Sequence, residues 1–397
     1  MAMRKQLYRR IFLWLLLLLS LLVLIQLIPT LTSSNTVRAD DFVRFWAGAK
    51  LTLSGENPFD PSNVNRLQAE AGMTSSGEGI TSIILNPPWA LSFFLPFGLL
   101  SYPISRLIWL LVSIILIVIC SNMLWRYYEG LPNQKWIAWV VAIIFAPTIS
   151  VLEKGQIAPL ILLSIVGFIY FVEYRHNDLA AGAFLAFATT KPQIVYLLGL
   201  AVLIWVIQQR RWLILVGAGA TTVLLTLLPM IFNPSIIEQY LSAMQTYQTA
   251  EWATPTFGSY LRFFLFGTNA VWPQFLPVIF GIIWFAFFWR KHASTWSWVE
   301  RLPILLLVSI LTAPYAWTYD YVILLPAIVQ AAVWLLKGKK LWSTYLLVGI
   351  FVGISLLDLV LHMKQSDFWF IWLAPVILIW YLLVRINSPR LKPAAGL

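Results

Sequence analysis

Residues 104–125 read ISRLIWLLVSIILIVICSNMLW, an unbroken apolar run carrying a single charge. A run of this length crosses about 30 Å of bilayer hydrocarbon as one helix. Comparable segments fall near 11–29, 83–100, 136–151, 157–172, 179–190, 193–207, 212–232, 271–289, 301–313, 318–336, 341–361 and 369–386, several of them short for a span. The chain is 60% hydrophobic and 11% charged, with a mean hydropathy of +0.80. No soluble domain of 397 residues hides that much apolar surface. Continuous runs, in place of the polar–apolar alternation of a closed barrel, point to helices. The expected fold is an all-α polytopic integral membrane protein of about 12 transmembrane helices, one domain over 1–397.

The net charge of +11 sits in short loops between apolar runs, which fits membrane orientation and anionic headgroups and excludes a nucleic-acid partner. Cys120 is the sole cysteine, so no internal disulfide or thiol pair forms. His176, His292 and His362 lack metal-ligand spacing, and neither a metal nor a cofactor is expected. The 21 Trp, 15 Tyr and 25 Phe crowd segment ends, where amphipathic rings favour the interface.

Arg4, Lys5, Arg9 and Arg10 precede the first apolar run, which reads as an uncleaved signal anchor with a cytoplasmic N-terminus. The clusters Arg210-Arg211, Arg290-Lys291, Lys337 to Lys340 and Arg385 to Lys392 also belong in the cytoplasm. Two cytoplasmic ends require an even number of crossings, so one of the thirteen segments does not cross alone. Residues 83–100, broken by Pro87, Pro88 and Pro96, are the expected exception. The 30–82 loop, Glu153 to Gln156, Lys191 to Gln193, the 233–270 loop and Tyr319-Asp320 then share the extracytoplasmic face.

Within the 30–82 loop, Phe42, Phe45, Trp46, Ala49 and Leu53 recur at helical spacing, predicting an amphipathic helix lying on the membrane. Asp40 or Asp41 caps it, Ser54-Gly55 ends it, and residues 57–61 form a turn. Only one acid of the pair can cap. The other is open to chemistry as a general base at the bilayer surface. Lys154 and Lys191 each interrupt apolar sequence, where a lysine either snorkels to headgroups or faces a polar cavity. Pro192 after Lys191 breaks the helix and favours the cavity, and Lys191 suits a phosphate there. Arg262 is a second phosphate candidate. Asp320, among Trp317, Tyr319 and Tyr321, either binds sugar hydroxyls or caps the next helix, and Asp358 pairs with His362 one turn later. Walker, dinucleotide-binding, zinc-protease and nucleophile-elbow motifs are all missing, which disfavours a nucleotide-driven pump.

The ordered motifs Asp41-Phe42-Val43-Arg44-Phe45-Trp46-Ala47-Gly48-Ala49, Asn57-Pro58-Phe59-Asp60, Asn86-Pro87-Pro88-Trp89, Leu95-Pro96-Phe97, Gly155-Gln156, Lys191-Pro192-Gln193 and Ala313-Pro314-Tyr315-Ala316-Trp317 to Asp320-Tyr321 and Leu324-Leu325-Pro326 resemble glycosyltransferase family 87 of the GT-C superfamily, over roughly residues 38 to 326. Relatives often carry a His shortly after the late Trp, where this chain has Thr318-Tyr319-Asp320. The resemblance implies a metal-independent, inverting membrane glycosyltransferase, most familiarly a mannosyltransferase, taking a hexose from a polyprenyl-phosphate donor to a lipid or glycan acceptor at the outer face of the cell membrane. It implies Asp41 as base and Lys191, with Arg262 or Lys154 and the motif glutamines Gln156 and Gln193, at the donor phosphate. Asp40, Asp60, Trp317, Tyr319 and Asp320 would meet sugar and acceptor. A transporter or flippase of lipid-linked saccharides would show internal pseudo-symmetry, which the chain lacks. A glycan polymerase or ligase would favour a large outer loop rich in Arg and His, whereas the major loop here is early and acidic.

Overall fold

The computed structural model describes residues 41–70, 84–246, 252–267, 270–338 and 341–387. The signal anchor at 11–29, Asp40 and the 71–82 segment lie outside these residues. Helices follow one another throughout, with no strand among the described residues. In chain order they are α1 Phe42–Leu53, α2 Pro61–Glu70, α3 Pro88–Leu91, α4 Leu95–Gly98, α5 Tyr102–Tyr127, α6 Trp136–Ile144, α7 Ala146–Lys154, α8 Ala158–Ile169, α9 Asp178–Ala188, α10 Tyr196–Gln209, α11 Leu213–Met230, α12 Ile236–Thr246, α13 Phe257–Leu265, α14 Leu276–His292, α15 Trp298–Leu311, α16 Leu325–Lys337, α17 Leu341–His362 and α18 Leu373–Asn387.

Six helical stretches among the described residues are long and apolar enough to cross a membrane: Tyr102–Tyr127, Leu213–Met230, Trp272–Thr295, Thr318–Lys337, Trp342–His362 and Asp367–Asn387. The pair α6–α7, bent by 64°, makes up to seven if counted as one span. About twelve were expected. The expected first span at 11–29 lies outside the described residues, and Ala158–Tyr174, Asp178–Ala188 and Tyr196–Gln209 are apolar but brief. Residues 84–100 form only the four-residue helices α3 and α4, as their prolines predict.

The chain forms two compact units. The first comprises Met1–Leu116, Ile149–Lys191 and Arg211–Thr249, and the second Ile117–Thr148, Pro192–Arg210 and Ala250–Leu397. In the first unit, α1 corrects the sequence reading. It is not an amphipathic helix laid on lipid. Phe42, Val43, Phe45, Trp46, Ala47, Gly48, Ala49, Leu51 and Thr52 are all buried by protein. Phe45 stacks on Phe94 at 4.4 Å, Phe42 stacks on Trp109 at 6.1 Å, and Trp46 Nε1 donates to Leu100 O at 3.0 Å. Its apolar residues are buried because α3, α4 and α5 supply aromatic side chains around them, while Lys50 stays exposed and Arg44 partly so. Its C-terminal end follows the expected signal, with Ser54 at the C-cap and Gly55 at φ +74°.

Also in the first unit, α9 and α11 cross with backbones in contact. A Cβ on Gly182 would lie 1.9 Å from Ile214 O, and one on Gly217 would lie 2.2 Å from Leu179 O. Small residues at such a crossing allow close approach where lipid gives no hydrophobic drive to pack. Arg211 pairs with Asp178 near the start of α9. The opposite end of α9 leads into Lys191, so this crossing fixes that lysine's origin.

In the second unit, α15, α16 and α18 pack together, with α16 almost wholly buried. Tyr381 Oη donates to Gln330 within this core, and Trp380 Nε1 donates to Leu347 O at 2.8 Å.

Candidate active site

The C-terminus of α7 builds the centre of the site in the first unit. Gly155 has φ +65°, and the Gln156 N–H returns to Val151 O at 3.2 Å, closing a Schellman motif. Three further carbonyls at this end are also satisfied. Arg106 on α5 donates to Leu152 O at 2.7 Å and Glu153 O at 2.8 Å, and Trp109 Nε1 donates to Gly155 O at 2.9 Å. A Cβ on Gly155 would meet Phe42 Cβ at 2.6 Å, so glycine is required both by dihedral and by contact. This tight turn aims the Gln156 side chain at α1.

Gln156 Nε2 donates to Asp41 Oδ2 at 2.7 Å, and Lys191 Nζ donates to Gln156 Oε1 at 3.2 Å. Gln156 is 4% exposed and Lys191 6%, while the Asp41 side chain keeps 19% exposure. Asp41 Oδ1 pairs with Arg44 at 3.0 Å, one turn along α1. Asp41 holds the N-cap position, yet its side chain makes no capping bond and its backbone is helical. Of the two acids expected to share capping and chemistry, Asp41 is therefore the one that does not cap: Arg44 and Gln156 draw its carboxylate off the helix end. Each carboxylate oxygen accepts more than one hydrogen bond, so capacity remains for an acceptor hydroxyl. Asn86 Nδ2 donates to Thr190 O at 3.1 Å, fastening the turn that carries Lys191. Within the first unit, Gln156 and Lys191 thus reach Asp41 in one chain, and Asn86 braces the turn that carries the lysine.

Asp60 accepts from Ser62 N at 2.8 Å and Ser62 Oγ at 2.7 Å, which makes it the cap of α2. Lys154 is exposed in the last turn of α7. Its neighbour Gln156 alone of this pair turns inward.

The second unit contains the other candidates. Arg262 is fully buried and donates to Gln274 Oε1 at 2.9 Å; Gln274 Nε2 in turn donates to Pro314 O at 2.9 Å. These bonds tie α13 to the segment before Trp317. Gln193 lies half-buried in a short 3₁₀ turn, Pro192–Ile194. Trp317 and Tyr319 stack at 5.9 Å, and Trp252 meets Trp317 edge-on at 5.3 Å. Asp320 is fully buried, and its Oδ2 accepts from Trp317 N at 3.1 Å, so it caps the 3₁₀ helix Thr318–Leu324.

Asp358 and His362 pair as their spacing predicts, with Oδ1 and Nδ1 3.3 Å apart. Sequence reading missed Asp367. Its carboxylate accepts from Thr318 N at 3.0 Å and from Thr318 Oγ1, and it lies 3.0 Å from His362 Nε2. Arg106 was missed as well, because in sequence it is one charge in an apolar run. Both act on backbone distant in the chain. Asp367→Ala leaves the buried Thr318 N–H without its carboxylate. The expected cost is about 1–3 kcal/mol, read as a lower thermal midpoint of the purified protein. An unchanged midpoint would deny Asp367 this anchoring role. Among the described residues no group of three His, Cys, Asp or Glu side chains is placed to hold a metal ion.

A profile of glycosyltransferase family 87 matches residues 85–314, more than half of the chain. The chain belongs to glycosyltransferase family 87. Family 87 membership and the apolar helices make it a multi-pass membrane glycosyltransferase, working between a sugar donor and an acceptor. The family match takes in Asn86, Gln156, Lys191 and Arg262; Asp41 and the Trp317–Asp320 segment fall outside it. Neither the curated proteins nor the solved structures provide a match to the chain.

Proposed function

We propose that this family 87 enzyme transfers a hexose, mannose first among candidates, from a polyprenyl-phosphate donor to a lipid or glycan acceptor at the extracytoplasmic face of the cell membrane, as a single functional domain. The observation that carries this reading is the Asp41–Gln156–Lys191 chain, a carboxylate and an ammonium one amide apart in a largely buried site. Asp41 takes the proton of the acceptor hydroxyl. The oxygen then attacks the anomeric carbon as its bond to phosphate breaks, with inversion, and the bonding pair leaves on polyprenyl phosphate. Lys191 neutralises that departing charge, where a preorganised cation contributes most.

The charge distribution within the second unit supports the orientation. Arg290 and Lys291 lie in the last turn of α14 and Arg301 in the first turn of α15; Lys337 ends α16 and Arg385 lies near the end of α18. The 3₁₀ turns that lead into the opposite ends of α16 and α18 carry Asp320 and Asp367. A basic cytoplasmic end and an acidic, aromatic outer end follow the positive-inside tendency.

The test is transfer of labelled hexose from a polyprenyl-phosphate donor by purified protein in lipid, with membrane extract as acceptor source. Wild type transfers, and Lys191→Met raises the donor KM at least tenfold. No transfer from any such donor, with lipid-linked sugar crossing the bilayer instead, would move the protein to the transporter class.

A further inference from the structure

Gln156 stands between two full charges, and hydrogen-bond chemistry dictates which way its amide faces. An ionised carboxylate only accepts, and an ammonium only donates. Nε2 therefore belongs on Asp41 and Oε1 on Lys191, at 2.7 and 3.2 Å. A donor phosphate is acceptor-rich and would be repelled by the carbonyl oxygen that faces Lys191. The amide's backbone is held by the Gln156 N–H to Val151 O and by Trp109 on Gly155 O, so the side chain starts from a fixed point.

Opposite charges in a site this buried attract more strongly than in water. Brought into direct contact, Asp41 and Lys191 would satisfy each other, and neither would serve an incoming substrate. A neutral amide prevents this because it bonds to both and adds no charge. We infer that Gln156 is a positioning residue, not a phosphate ligand: it holds Asp41 and Lys191 one amide apart, so that neither neutralises the other before substrate arrives. This rests on Asp41 as base and Lys191 as phosphate cation, and it explains why a glutamine, which both donates and accepts, occupies the place. Arg44 holds the other carboxylate oxygen at 3.0 Å, which leaves Oδ2 as the side that Gln156 controls.

The experiment measures kcat and donor KM for the full chain in lipid, comparing wild type with Gln156→Met, Asp41→Asn, Lys191→Met and the double variant Asp41→Asn/Gln156→Met. Gln156→Met is expected to lower kcat at least tenfold with donor KM within about threefold of wild type. Added to Asp41→Asn, it lowers activity less than twofold further, because it acts through the lost base. A tenfold rise in donor KM with kcat preserved would make Gln156 a phosphate ligand and overturn the inference, as would losses that multiply in the double variant. If Gln156→Met does not fold, Gln156→Asn, one methylene too short to bridge both groups, is read the same way. Wild-type kinetics in Asp41→Asn and Lys191→Met would defeat the underlying reading of the site. Expected losses in those two with none at Gln156 would defeat this inference alone.

Discussion

Asp41→Asn lowers kcat by about 10²–10⁴-fold while the protein keeps its fold and binds donor as before, the usual size of a general-base contribution. The substitution is nearly isosteric. Its carbonyl oxygen can still accept from Gln156 Nε2, which now approaches Oδ2 at 2.7 Å, so local packing is preserved. What is lost is the ability to hold the acceptor's proton. A second consequence follows from Arg44, which pairs with Oδ1 at 3.0 Å and would face an uncharged amide. That pair is partly exposed, so the stability lost with it is small, about 0–1 kcal/mol. Single-turnover transfer from labelled donor, beside a thermal midpoint, separates the two effects. Wild-type turnover in a folded Asp41→Asn variant would remove Asp41 from the chemistry while leaving the family assignment intact.

Gly155→Ala is expected to cost about 2–5 kcal/mol of stability and to reduce transfer strongly. Two independent penalties meet at this residue. Its φ of +65° is strained for any residue with a Cβ, and the new Cβ would sit 2.6 Å from Phe42 Cβ and 3.3 Å from Arg106 Cζ. Phe42 has little room to yield. It is fully buried and touches Phe94, Phe97, Tyr102 and Trp109, with the Arg106 guanidinium 5.9 Å from its ring centroid. Strain relieved by opening the turn would withdraw Gln156 from Asp41, and a displacement of about 1 Å in a catalytic array can cost on the order of 100-fold in rate. The expected result is a clearly lowered thermal midpoint, with residual activity falling further than the unfolded fraction explains. A variant matching wild type in both would mean that the turn tolerates a side chain and that its geometry does not set the site.

Helical class, membrane residence and family were legible in the sequence for a plain reason. Hydrocarbon admits few solutions for a backbone, so apolar length alone narrows the fold. The break-up of the proline-rich stretch into the short helices α3 and α4 was legible too, because proline's effect is local. The character of α1 was not. Phe42, Phe45 and Trp46 at helical spacing look the same whether the face meets lipid or the rings of Phe94 and Trp109. Asp60 and Asp320 are ambiguous in sequence for the same reason, and folding gives each a local bond, Asp60 with Ser62 N and Asp320 with Trp317 N.

By itself, then, the sequence determined a polytopic helical glycosyltransferase of family 87, and it marked Asp41, Gln156 and Lys191 as residues to explain. Only the tertiary structure decided that these three form one hydrogen-bonded chain, that Asp41 leaves its cap, and that Arg106 and Trp109 hold the turn beneath. Apolar length and proline act within a few residues, where a pattern can be read directly. A carboxylate's partner is chosen by what folding brings within 3 Å of it, here from 115 positions away for Gln156, and no local pattern carries that information.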